Sequence, residues 1–197
     1  MRRSRMVDNF AEAQKLGPFD EYPLLINGVD PQMHLSHNDR QQPFFLICGK
    51  DSLFVQLSGK ATLEMKHPDV LNFRLVPGDF VYVPAGVPHR LTPESVCINQ
   101  RYKAEKAGLE GVAWYCPKCQ SELYRSVWDT DKELPQEGYA RATGEFNASA
   151  ELRICKSCSS EHPPIDIAPY RWLAVANEIR ESLAARPHAS DVVGQCK

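Results

Sequence analysis

A chain of 197 residues with 23 basic and 25 acidic side chains, net charge −2, has room for one well-filled core, or for one domain with a small satellite. That balance argues against an electrostatic nucleic-acid or membrane-surface partner, and no apolar run approaches the ~18–20 residues that span a bilayer. Arg2, Arg3 and Arg5 open the chain with no apolar signal core behind them, so a soluble, cytoplasmic protein is expected.

Val7, Phe10, Ala11, Ala13 and Leu16 recur with a helical period that stops at Gly17-Pro18, predicting a helix within residues 1–20. From about residue 22 to 102 the texture becomes short apolar stretches broken by turn residues. Strands are predicted at Phe44–Cys48, Leu53–Leu57, Ala61–Met65, Asn72–Leu75, Phe80–Val83 and Cys97–Tyr102, with turns at Gly49-Lys50-Asp51, Ser58-Gly59-Lys60, Pro77-Gly78-Asp79 and Pro84–Pro88. Strands this short and regular imply an all-β sandwich or barrel. A different texture begins near Trp114. It holds four cysteines separated by a polar stretch, Asp129–Glu151, which is expected to form its own hairpin or loop. A last amphipathic segment, Arg171 to Leu183, places Trp172, Val175, Ile179 and Leu183 at helical spacing as a packing face. Residues 186–197 read as a frayed tail.

Seven cysteines are present, and four fall into two pairs, Cys116-Pro-Lys-Cys119 and Cys155-Lys-Ser-Cys158. A two-residue spacer lets both thiolates of a pair point at one ion, and four thiolates complete a closed tetrahedral shell suited to zinc or a single iron. A closed shell has no open position, so its role is structural, and metal binding contributes folding free energy. Cys48 and Cys97 lie in apolar strands and read as buried thiols; Cys196 stands alone.

The run Gly78-Asp-Phe-Val-Tyr-Val-Pro84-Ala-Gly86-Val-Pro-His89 makes a turn, a strand and a chain reversal that points His89 inward. It matches the second cupin motif at every spacing. The resemblance predicts a cupin (jelly-roll) β-barrel at 21–110, a small four-cysteine metal module at 111–168, and flanking helices at 1–20 and 169–197. The first cupin motif supplies two histidines and a glutamate seven residues before a glycine. Counting back from Gly59 puts Ser52 at the glutamate, and Phe44–Cys48 contains no histidine.

Both halves together resemble the 3-hydroxyanthranilate 3,4-dioxygenase family in its bacterial form with a rubredoxin-like C-terminal metal site. The residues that carry the resemblance are Gln56-Leu-Ser-Gly59, Pro77 to Arg90, Trp114-Tyr-Cys-Pro-Lys-Cys119, Cys155-Lys-Ser-Cys158 and His162-Pro163. The resemblance implies a barrel Fe(II) held by two histidines and a glutamate, arginines on the substrate carboxylate, and a homodimer. Carried over residue by residue, His89 matches one ligand, Ser52 replaces the glutamate, and Phe44 or Leu46 replaces the other histidine. Arg40 matches one carboxylate-binding arginine and Arg90 lies near another. Asn99 or Gln100, followed by Arg101, takes the place of a second acidic residue. One histidine and a serine do not hold ferrous iron, and extradiol cleavage needs a metal with open positions.

Three readings follow. The first is a diverged cupin enzyme acting on a small carboxylated aromatic or amino acid-like metabolite without barrel iron, with His89 as acid or base and Arg40, Arg90 or Arg101 on the carboxylate. Gln100, Asp51 and Cys48 are further candidates in that pocket. The second is an active iron dioxygenase that uses His34, His37 or Asp51. The third is a small-molecule-binding or assembly protein.

Overall fold

The computed structural model describes residues 6–184 except 26 and 68. Arg2, Arg3, Arg5, Cys196 and the tail expected at 186–197 lie outside the described residues. Among those described, no helix is long and apolar enough to cross a membrane.

The N-terminal helix is short, α1 (Asn9–Ala13), and Asp8 fixes its start: its carboxylate accepts from the Phe10 and Ala11 N–H groups at 3.1 Å. Ala13 and Leu16 are buried, while Phe10 faces solvent. The strands follow as β1 (Tyr22–Pro23), β2 (Gln32–Asn38), β3 (Phe45–Cys48), β4 (Ser52–Ser58), β5 (Ala61–His67), β6 (Asp69–Leu75), β7 (Phe80–Val83), β8 (His89–Pro93), β9 (Cys97–Lys103), β10 (Leu109–Tyr115) and β11 (Glu122–Asp129). They form two antiparallel sheets, ordered β1-β2-β9-β4-β7 and β11-β10-β3-β8-β5-β6. All six predicted strands are present within a few residues of their expected ends. The sequence reading left out β1, β2, β8, β10 and β11. β10 crosses residue 110 and pairs with β3, so the six-stranded sheet continues into the stretch expected to be metal module alone.

Period-two alternation points Phe54, Leu63, Val81, Val83 and Leu91 into one core between the sheets. Gly59 is required where β4 turns into β5: its φ is +69°, and a Cβ there would collide with the Val96 carbonyl oxygen.

The stretch between the cysteine pairs is not a hairpin or loop. It holds α2 (Pro135–Ala148) and the single turn α3 (Ala150–Arg153). Pro135 opens the helix at a position that needs no N–H, and the Glu137 carboxylate accepts the Leu134 N–H at 2.9 Å. Although the segment is polar overall, Tyr139, Ala142 and Phe146 fall on one face and are buried. They pack with Phe44, Trp114, Trp128 and Trp172 in a second core, where the Phe146 and Trp114 rings stack at 4.4 Å. With these helices built into the core, the fold is mixed rather than all-β. Gly138 lets α2 approach β11, since a Cβ there would collide with the Trp128 ring at Cε2. We expect Gly138→Ala to destabilise the protein by about 1–3 kcal/mol through overpacking, despite alanine's better helix propensity. A urea melt checks this, and an unchanged midpoint would show that the helix can shift.

The final helix, α4 (Trp172–Ala184), buries Trp172, Val175 and Ile179 as its stripe foretold, while Leu183 is only partly covered. Val175 and Ile179 meet Ala13, Leu16, Tyr22 and Leu24 in a third core that joins α4 to the segment around α1 and β1. The Trp172 indole N–H donates to the Phe19 carbonyl at 3.2 Å.

Candidate functional site

The four cysteines converge. Their Sγ atoms all lie within 4.8 Å of one another, with Cys116 and Cys158 at 3.5 Å and Cys119 and Cys155 at 3.4 Å. A tetrahedral shell with bonds of about 2.3 Å places its sulfurs roughly 3.8 Å apart, so the quartet fits a single zinc or iron ion. The two knuckles are built alike. The Cys116 N–H donates to the Ser121 carbonyl and the Gln120 N–H to the Cys116 carbonyl; Cys155 makes the same pair of bonds with Ser160 and Ser159. The residue after each pair, Gln120 or Ser159, takes positive φ, +62° and +58°, which turns the chain tightly enough to aim amides at sulfur. Hydrogen bonds from the Ser121 hydroxyl and amide bring the Cys119 thiol down to about 6, favouring the thiolate that a metal takes.

Inside the barrel, β8 points His89 inward, fully buried, as the turn geometry predicts. Its Nδ1 lies 2.9 Å from the Val87 carbonyl and therefore carries the proton, leaving Nε2 as the acceptor. That nitrogen is already taken: the Arg101 NH1 lies 2.5 Å from it. Burial first, and the Arg101 charge second, push the His89 imidazole down to about 3, so it stays neutral at physiological pH.

Arg101 belongs to a buried charge network. Its Nε donates to Glu21 Oε1 at 2.9 Å, and Tyr139 Oη donates to Glu21 Oε2 at 3.2 Å. Lys103 Nζ lies 3.8 Å from Glu21 and 2.8 Å from Glu110. Burial pushes the Glu21 carboxyl up, but the Arg101 and Lys103 charges outweigh it and hold it near 2. Two cations and two carboxylates therefore balance in the interior. The Arg101 guanidinium also lies over the Phe54 ring, 5.3 Å from its centroid.

This arrangement does not fit the barrel iron implied by the resemblance. Leu46 pairs directly opposite His89 and offers no donor, and Phe44 lies in the aromatic core. Ser52 is buried, its Oγ without a hydrogen-bond partner among the described residues. A metal on His89 would have to bond at the nitrogen that a guanidinium contacts. One cavity there has about 10 Å³ and is lined by groups that include Glu21, Asn38, Gln42, Phe54, Asn99 and Arg101, room for about one water. Its wall is an amide chain: Asn38 donates to Asn99 at 2.9 Å, Asn99 to Gln56, and Gln56 to the Ser58 carbonyl at 2.8 Å. Asn99 thus places a neutral amide inside the barrel.

The other candidates scatter. Gln100 lines the same cavity and donates to the Met33 sulfur, and His34 lies beside it on β2. His37, also on β2, is half-buried and does not line that cavity. Asp51 is exposed, its carboxylate accepting the Ala85 N–H at 2.9 Å. Cys48 is buried and its thiol is pushed up to about 12 by that burial, which removes it as a nucleophile. Arg40 and Arg90 lie outside the barrel, paired with Asp39 and Glu64. The sequence reading missed Glu21, Lys103, Glu110 and Tyr139. For Lys103 a signal was available: Arg101 and Lys103 sit at period two in a strand, which puts both on one face.

No protein-family model matches the chain. It is 28% identical over 127 residues to the 3-hydroxyanthranilate 3,4-dioxygenase of Xanthomonas oryzae pv. oryzae, covering 62% of this chain and 68% of that one. It is 25% identical over 154 residues to the same-named protein of Xanthomonas campestris pv. campestris, covering 77% and 79%. The chain is thus a distant homologue of bacterial 3-hydroxyanthranilate 3,4-dioxygenases. Similar solved structures include hydroquinone 1,2-dioxygenase from Sphingomonas sp. TTNP3 with 4-hydroxybenzoate bound, at TM-score 0.43 and 12% identity over 53% of this chain and 83% of that one. A cupin-2 domain protein from Shewanella frigidimarina has TM-score 0.40 and 19% identity over 50% and 94%.

Proposed function

We propose that this chain is a non-oxygenase relative of the dioxygenases that binds a small carboxylated aromatic or amino acid-like metabolite, with a structural metal in the cysteine quartet and none in the barrel. The observation that carries this reading is Arg101: its guanidinium stands at the one imidazole nitrogen to which a barrel iron would bond. Binding is favoured over acid–base catalysis by His89, because Nε2 is committed to Arg101 and the ring stays neutral far below working pH. The ligand class is suggested by the relatives, whose name specifies a hydroxylated aminobenzoate.

Elemental analysis with an oxygen electrode tests this. We expect one metal equivalent per chain, lost on Cys116→Ser and unaffected by His89→Ala, and no oxygen uptake with 3-hydroxyanthranilate after ferrous loading. A second metal equivalent that disappears in His89→Ala, accompanied by oxygen consumption, would overturn the reading.

A further inference from the structure

We infer that Lys66, on β5 and far from the cysteines in sequence, is a positioning residue for the metal site: through Gln120 it holds the first cysteine pair against the outer face of the six-stranded sheet. The inference deepens one part of the proposed function, the metal in the quartet, and rests on it.

The two pairs are supported differently. The second is tied down by its own flanks: Ile154 bridges to Glu161, and the His162 N–H donates to the Arg153 carbonyl at 2.9 Å. The His162 ring then meets Phe146 edge-on, with centroids 5.3 Å apart. The first pair hangs from the end of β10, and Pro117, Lys118, Cys119 and Gln120 are all exposed. Burial does not position a stretch like that, so a specific bond has to.

That bond comes from across the sheet. Ala61, Leu63 and Met65 of β5 point into the core, so alternation turns Glu64 and Lys66 outward. β8 and β3 lie between β5 and β10, yet the Lys66 ammonium donates to the Gln120 side-chain carbonyl at 2.8 Å. It also lies 4.8 Å from the ring centroids of Phe45 and Tyr115, and 3.3 Å from Glu64. The side chain is only 11% exposed, far less than a lysine on an outer face usually keeps. Two oxygens and two ring faces replace the lost water.

Gln120 passes this hold on to the ligands. It is the positive-φ residue that closes the first knuckle, and its N–H donates to the Cys116 carbonyl at 2.9 Å. Tyr115, whose ring lies under the ammonium, directly precedes Cys116. Lys66 therefore grips the pair on both sides, at Tyr115 before it and at Gln120 after it. A ligand loop fixed in advance loses less conformational freedom when the ion arrives. Outer partners of metal ligands are commonly worth roughly 10–100-fold in affinity.

Competition between a zinc chelator and the full zinc-loaded chain tests the anchor. We expect Lys66→Met, which keeps an apolar stem over Phe45, to weaken zinc affinity about tenfold. Gln120→Leu should weaken it by a similar factor, and the double variant should be no worse than either, since all three lack the same bond. Lys118→Met is the control. Lys118 is exposed inside the same pair, so its loss should change affinity by less than about twofold. Circular dichroism checks that each variant keeps its fold. Additive losses in the double variant would show that Lys66 and Gln120 act separately. An equal loss in Lys118→Met would show that charge near the sulfurs, not position, sets affinity. Either result, or unchanged affinity in Lys66→Met, overturns the inference. Failure of the unsubstituted chain to bind zinc would overturn the metal site itself, and the anchor with it.

Discussion

Replacing Cys155 by serine should strip the metal from the protein and lower its thermal midpoint by roughly 10 °C or more. Cys155 is buried and sits at the start of the second knuckle, so serine leaves three thiolates and a weak oxygen donor around the ion. Apparent metal-binding free energies at structural sites reach roughly 10–16 kcal/mol in small zinc peptides. Here the neighbouring aromatic core persists without the ion, so only part of that is lost on mutation, about 3–5 kcal/mol. The quartet closes β10 onto the chain that follows α3, and α2 lies between them with Phe146 against Trp114. Loss of the ion therefore loosens that helix as well as the knuckles. Metal analysis paired with a thermal melt decides the matter. A variant that keeps its ion, or melts with the wild type, would show that the cysteines are not the ligands.

Arg101→Met should be comparably damaging, by about 3–5 kcal/mol, because it leaves the Glu21 carboxylate buried with its principal partner gone. Adding Glu21→Gln to the same chain should recover much of that loss, since the double variant buries neither charge. Acid titration offers a separate check. The folded-state value of Glu21, near 2, lies below its ordinary 4.5, so its contribution is fully present above about pH 4.5 and disappears as pH falls towards 2. His89 is neutral in the fold, near 3 against an ordinary 6.5. The unfolded chain takes up that proton first, and stability declines as pH falls from about 6.5 towards 3. His89 accounts for the decline down to about pH 4.5 and Glu21 adds to it below, so urea midpoints should fall from about pH 7 and more steeply below pH 4.5. Arg101→Met should flatten that decline, because one cation near His89 and one partner of Glu21 are removed together. An equally steep slope in the variant would rule the network out as its source.

The parts of the molecule legible in the sequence are those with local signatures. The two cysteine pairs, the turn–strand–turn leading to His89 and the short strands between Gly and Pro residues each announce themselves within a dozen residues. Ser52 and Leu46 were also legible, as positions where donors are missing. What stayed hidden was long-range. Glu21 reaches Arg101 across 80 residues and Tyr139 across 118, and nothing in a local window links them. The helix α2 was hidden for a different reason: its exposed face is polar enough to mask the buried apolar side chains of Tyr139, Ala142 and Phe146. Arg40 and Arg90 were expected in the pocket because of the family resemblance; one-residue alternation on β8 turns Arg90 outward while His89 turns in.

The Trp172 indole that holds the Phe19 carbonyl sets an order for assembly on the ribosome. Phe19 and Glu21 are made more than a hundred residues before three of the groups that hold them, Gln136, Tyr139 and Trp172. The strands alone hold that segment through Asn38, Ser36 and Arg101, without the helix side chains that complete its hydrogen bonds. Removing α4 is therefore expected to loosen the segment around Phe19, far away in sequence.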